Sequence, residues 1–70
     1  MFDDSEVTFD VIFVAEGPKA VLVDIDGTEV WIPNSQIKED SEVYVGCDMA
    51  KGDEGVLVCS EWIAKKKELL

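Results

Sequence analysis

The dipeptide Asp26-Gly27 stands between two β-rich runs, Ala20-Val21-Leu22-Val23-Asp24-Ile25 and Thr28-Glu29-Val30-Trp31-Ile32-Pro33. It constrains the fold more than any other feature. A two-residue Asp-Gly connection between such runs calls for a type I′ turn, whose twist matches that of paired strands. The turn sets the register. Ile25 faces Thr28, Val23 faces Val30 and Val21 faces Ile32 on one side. Asp24 faces Glu29, Leu22 faces Trp31 and Ala20 faces Pro33 on the other. The first side is a core face. The second places a bulky Leu-Trp pair beside two like charges, which is mildly destabilising unless water, a cation or a partner's lysine relieves it. Leu22, Asp24, Glu29 and Trp31 are therefore the candidate partner-binding residues.

β-branched and aromatic content predicts strands over Val7 to Ala15, Lys19 to Ile25, Thr28 to Pro33, Glu42 to Gly46 and Gly55 to Cys59. Gly17-Pro18 separates the first two, Asn34-Ser35-Gln36-Ile37 suits a tight turn after the third, and Gly52 to Gly55 precedes the fifth. Ser60 is a good N-cap for a helix over Glu61 to Glu68, with an acid in its first turn and Lys65, Lys66 and Lys67 in its last, as the helix dipole prefers. Five short strands in 70 residues must manage their edges, and closure does this best. The expected fold is a single mainly β domain spanning residues 1–70. It is a small five-stranded SH3-like or OB-like barrel with one short C-terminal helix over an open end. The alternative is an open antiparallel sheet whose exposed face is covered by the helix or by a second copy. Trp62, Ile63 and Leu69 are expected to dock the helix. Trp31 either lies under it or stands exposed as an anchor for a partner.

Charge narrows the function classes. The chain carries 16 acids against 6 lysines, with no Arg and no His, for a net charge of −10, yet it is 47% hydrophobic, too apolar for a disordered acidic tail. Residues 1–64 hold 15 acids against 3 lysines, a net −12. Such a surface repels nucleic-acid phosphates and attracts a basic protein surface. Direct nucleic-acid binding is therefore disfavoured. With so small a core, the self-repulsion also predicts salt sensitivity or a gain from self-association. Met1-Phe2-Asp3-Asp4 does not resemble a secretory signal, and no apolar run is long enough for a membrane span, so a cytoplasmic location without membrane contact is expected. Cys47 and Cys59 lack C-x-x-C spacing and a histidine partner, which predicts two reduced thiols and no zinc site.

Several motifs suggest chemistry. Ala20 to Thr28 ends in D-x-D-G-T and resembles the nucleophile motif of haloacid-dehalogenase-type phosphatases, in which Asp24 would attack phosphorus and Asp26 would act as the acid. That machinery needs a parallel α/β sheet and a far longer chain, so an acidic hairpin turn is the expected reading. Asp24, Asp26 and Glu29, or Asp48, Asp53 and Glu54, offer oxygen ligands, but neither set follows the calcium-loop pattern. With no His to serve as a base for Cys47, Cys59 or a serine, no catalytic set emerges and no cofactor is expected.

Trp31-Ile32-Pro33-Asn34-Ser35, followed by Glu61-Trp62-Ile63-Ala64, resembles a group of small acidic bacteriophage-encoded proteins with a W-[IL]-P-x-S segment and a C-terminal E-W-[IL]-A helix. The resemblance spans roughly residues 20–64. It implies a phage-type origin and a small β-barrel, and no particular activity. The expected function is thus that of a non-enzymatic accessory protein working by protein-protein interaction in the host cytoplasm. Inhibition of a basic host protein or nucleic-acid mimicry is its mode. The alternatives are an OB-like module that stacks single-stranded bases on Trp31, and a small homo-oligomeric assembly subunit.

Overall fold

The computed structural model describes residues 5–70. Met1 to Asp4, the segment that bears on a secretory signal, lies outside the described residues. Four strands, β1 (Glu6–Glu16), β2 (Ala20–Ile25), β3 (Thr28–Pro33) and β4 (Glu54–Ser60), form one antiparallel sheet in the order β3-β2-β1-β4. A 3₁₀ turn (Asn34–Gln36) follows β3, and helix α1 (Glu61–Lys66) follows β4. The hairpin register is the one the Asp-Gly turn requires, from Ile25 opposite Thr28 to Ala20 opposite Pro33. Asp26 and Gly27 have φ of 53° and 87°, the two positive values of a type I′ turn. The Asp24 carboxylate accepts the Gly27 N–H at 2.8 Å, which ties the strand end to the turn.

The sheet does not close, and the strand expected over Glu42 to Gly46 is absent; the open antiparallel sheet is the architecture adopted. The reason lies in how residues 37–49 meet β4. Lys38 N–H donates to the Val58 carbonyl at 2.8 Å and Glu42 N–H to the Val56 carbonyl at 2.9 Å. Moving from residue 38 to 42 against 58 to 56 leaves two residues too many for a ladder. The buried Ser41 fills the gap: its Oγ accepts the Val58 N–H at 3.1 Å and donates to the Val43 carbonyl at 2.7 Å. A Glu42 carboxylate oxygen accepts the Val56 N–H at 2.9 Å. The β4 edge is thereby satisfied, its carbonyls by backbone N–H groups and its N–H groups by side chains, which blunts it against pairing with another chain.

Beyond Ser41 the segment crosses the sheet face. Val43 is buried and Val45, Cys47 and Met49 pack against the core, while Tyr44, Gly46, Asp48 and Ala50 face outward. This alternation is what suggested a strand, but its backbone is held by side chains, with Val45 N–H bonded to Asn34 Oδ1 at 2.9 Å and Gly46 N–H to Glu16 Oε1 at 3.4 Å. Gly55 makes room for the crossing. A Cβ there would lie 2.8 Å from Met49 Cε and 3.2 Å from Val43 Cγ2.

The core lies on one side of the sheet. Val11, Phe13, Val21, Val23, Ile25, Ile32, Leu57 and Cys59 point into it, covered at one end by the crossing segment and at the other by Ile63 and Ala64 of α1. Each fully buried aliphatic side chain such as Ile32 or Leu57 contributes roughly 1.5–3 kcal/mol. The helix is shorter than expected. Ser60 caps it, accepting the Ile63 N–H at 3.2 Å, and Glu61 pairs with Lys65 at 3.1 Å. Glu68 at φ 61° ends it in a Schellman arrangement: Leu69 N–H donates to the Ala64 carbonyl at 2.8 Å and Glu68 N–H to the Lys65 carbonyl at 3.0 Å. That turn folds Leu69 onto the core. Trp62 does not dock the helix; it is 57% exposed, with Lys66 Nζ 4.8 Å from its ring centre. Consecutive helical residues point about 100° apart, so burying Ile63 and Ala64 turns Trp62 outward.

Candidate functional site

With helix and crossing segment both on the core side, the opposite face of the sheet is open over β3, β2 and most of β1 among the described residues, and closed only at the far end of β4, where Val58 and Ser60 are buried. Strand registers define what stands on it. One row runs Glu29, Asp24, Ile12, Glu54 across the four strands, and a second runs Trp31, Leu22, Ala15. Asp10 beside Val56, Thr8 beside Val58 and Glu6 beside Ser60 continue it along β1 and β4. A bulge in β1 between Phe13 and Ala15 keeps Ala15 in line with Leu22 and turns Glu16 toward the core side, where it meets Gly46.

The four candidate residues therefore do come together, as two cross-strand pairs on one face. Trp31 is 47% exposed and is not covered by α1, which packs on β1 and β4 from the other side; the expectation that the helix shields it fails because the core needs the helix there. The indole leans over the β1–β2 turn, its Cζ3 being 3.8 Å from the position of a Cβ at Gly17. Ile12, 42% exposed, joins it with the half-buried Leu22 and Val56 to form an apolar strip. Asp10, Ile12, Glu54 and Val56 line a shallow depression of about 420 Å³.

Charge on this face has one sign. Glu6, Asp10, Asp24, Glu29 and Glu54 lie on it by register, and no lysine does: Lys19, Lys38 and Lys51 are in connecting segments and Lys65 to Lys67 at the helix end. Glu61 with Lys65 is the one ion pair among the described residues. Asp10 and Ile12 carry no signal in the sequence, and Glu54 only that of an oxygen ligand beside Asp48 and Asp53, because the pairing of β1 with β4 that puts them on this face joins residues far apart in the chain.

The phosphatase-like motif forms the turn of an antiparallel hairpin. Asp24 is occupied with the Gly27 N–H, and Gly27 leads into an antiparallel strand. Asp53 is similarly engaged, its carboxylate accepting the Ala50 N–H at 2.8 Å. Among the described residues no three His, Cys, Asp or Glu side chains converge to hold a metal. Cys47 and Cys59 are free thiols, and burial pushes that of Cys59 above its ordinary pKa. No described helix is long and apolar enough to cross a membrane. Comparison with protein-family models, curated proteins and solved structures returns no match.

Proposed function

We propose that the protein is a non-enzymatic, phage-type accessory protein that binds a host protein through the open face of its sheet. The observation that carries this reading is a sheet face with five carboxylates, Glu6, Asp10, Asp24, Glu29 and Glu54, no lysine, and an apolar strip of Ile12, Leu22 and Trp31 between them. Apolar anchors rimmed by charge are the usual anatomy of a protein interface, and the sign selects a basic partner. The same field argues against stacking nucleic-acid bases on Trp31. It also argues against face-to-face self-association, which would oppose like charges. In the mimicry form of the proposal, the row Glu29-Asp24-Glu54 stands in for phosphates on a nucleic-acid-binding protein.

The test is retention of bacterial lysate proteins on the immobilised chain, compared with a variant carrying Ile12→Ala and Trp31→Ala. A basic protein held at low salt, released at high salt and not held by the variant is the expected result. A partner retained equally by both chains, or held unchanged in high salt, would sink the reading.

A further inference from the structure

The two edges of the sheet differ. β4 is blunted by Ser41, Glu42 and the backbone of residues 37–42. β3, at the other edge, pairs with β2 alone. In a two-residue hairpin closed by Ile25 and Thr28, the pairs Ile25–Thr28, Val23–Val30 and Val21–Ile32 exchange backbone hydrogen bonds, so Glu29, Trp31 and Pro33 turn their backbone groups outward. No described residue bonds to the outward N–H or C=O of Glu29 or Trp31. Pro33 has no N–H and limits the edge to a short row of donors and acceptors. Above that row, on the open face, stand the side chains of Glu29 and Trp31, with Asp24 and Leu22 one strand further in.

We infer that this edge takes an extended basic segment of the partner as a fifth strand, antiparallel to β3, an inference that rests on the reading above and specifies its partner chemistry. Antiparallel pairing puts the segment's residues opposite Trp31 and Glu29 two apart on the open face. Trp31 selects an apolar side chain there. Glu29, with Asp24 on the neighbouring strand about 4.8 Å away, selects a lysine or arginine. The recognised pattern, from N- to C-terminus, is apolar, any residue, basic. A second copy of β3 does not meet it, since the strand offers Glu29 and no cation.

The test uses the full chain, ¹⁵N-labelled, and an end-capped threonine-based peptide with isoleucine and lysine two residues apart. Both of those amides would point at β3, and the amide of the threonine between them away from it. Binding should shift and slow the exchange of the Glu29 and Trp31 amides. N-methylation at the isoleucine or lysine should weaken it at least about tenfold, N-methylation at the intervening threonine should leave it nearly unchanged, and glutamate in place of lysine should abolish it. Equal tolerance of methylation at all three positions would place the peptide on the face and overturn the edge inference while leaving the open-face reading intact. Absence of peptide binding, with a basic partner still retained by the intact face, would overturn the edge inference alone.

Discussion

At the scale of single residues, Glu68 carries a backbone cost that the rest of the fold absorbs, and Cys59 ties stability to pH. Glu68 occupies the left-handed C′ position of α1, at φ 61°, where glycine is the favoured residue, and its carboxylate lies at the negative end of the helix dipole. Glu68→Gly should therefore raise unfolding free energy by about 0.5–1 kcal/mol in a denaturant titration, the reverse of the usual effect of a new glycine. Cys59 is fully buried and its thiol is pushed up by desolvation, so the folded state holds that proton more tightly than the unfolded state does. The stability linked to it is complete below the unfolded thiol pKa, about 8.5, and is lost as pH rises through the higher folded value. Unfolding free energy should fall with pH in that alkaline range, and the fall should be smaller in Cys59→Ala. Equal slopes in the two proteins would show that the thiol does not ionise on unfolding.

Among the elements, the segment from Ile37 to Met49 is where sequence and structure part most. Its period-two pattern is real, since Val43, Val45, Cys47 and Met49 face the core. Alternation reports which side of a chain is buried; a ladder also needs a partner edge in step. Here Ser41 interrupts the step and replaces ladder bonds with its hydroxyl. Ser41→Ala should leave the Val58 N–H without that acceptor in a buried setting and cost about 1–3 kcal/mol. Amide exchange should then accelerate first at Val56 and Val58, ahead of the β1–β2 ladder. Uniform acceleration across all four strands would mean that the edge has no separate stability. The helix diverged for a related reason. Ser60, Glu61 and the lysines specify where a helix starts and which charges it tolerates, but which flank turns inward depends on where β4 delivers it.

For the whole molecule, the governing quantity is the net charge of −10 set against one ion pair among the described residues. An exposed i,i+4 pair of this kind is worth about 0.3–0.5 kcal/mol, so screening loses little through it and gains by damping repulsion among the carboxylates. Melting temperature should thus rise with added salt, by about 5 °C between low and physiological ionic strength if the repulsion is worth about 1 kcal/mol. A fall would mean that attractive pairs outweigh the repulsion. Salt should act oppositely on partner binding, because the interaction that destabilises the free chain is the one a basic surface relieves.

The hairpin, its type I′ turn, the two faces of β2 and β3 and the Ser60 cap were legible in the sequence because each is decided within a few residues, by turn chemistry and by the two-residue period of a strand. The grouping of Leu22, Asp24, Glu29 and Trp31 follows from that same local register. From the sequence, an open sheet is only the alternative to a barrel, since closure depends on whether the last edges meet. The tertiary structure alone decided that α1 and residues 43–49 cover the same side, and that β1 brings Ile12 and Asp10 beside Glu54 and Val56. These are contacts between distant parts of the chain, chosen by how one small core can be filled. Filling it from one side left Trp31 and its carboxylates uncovered.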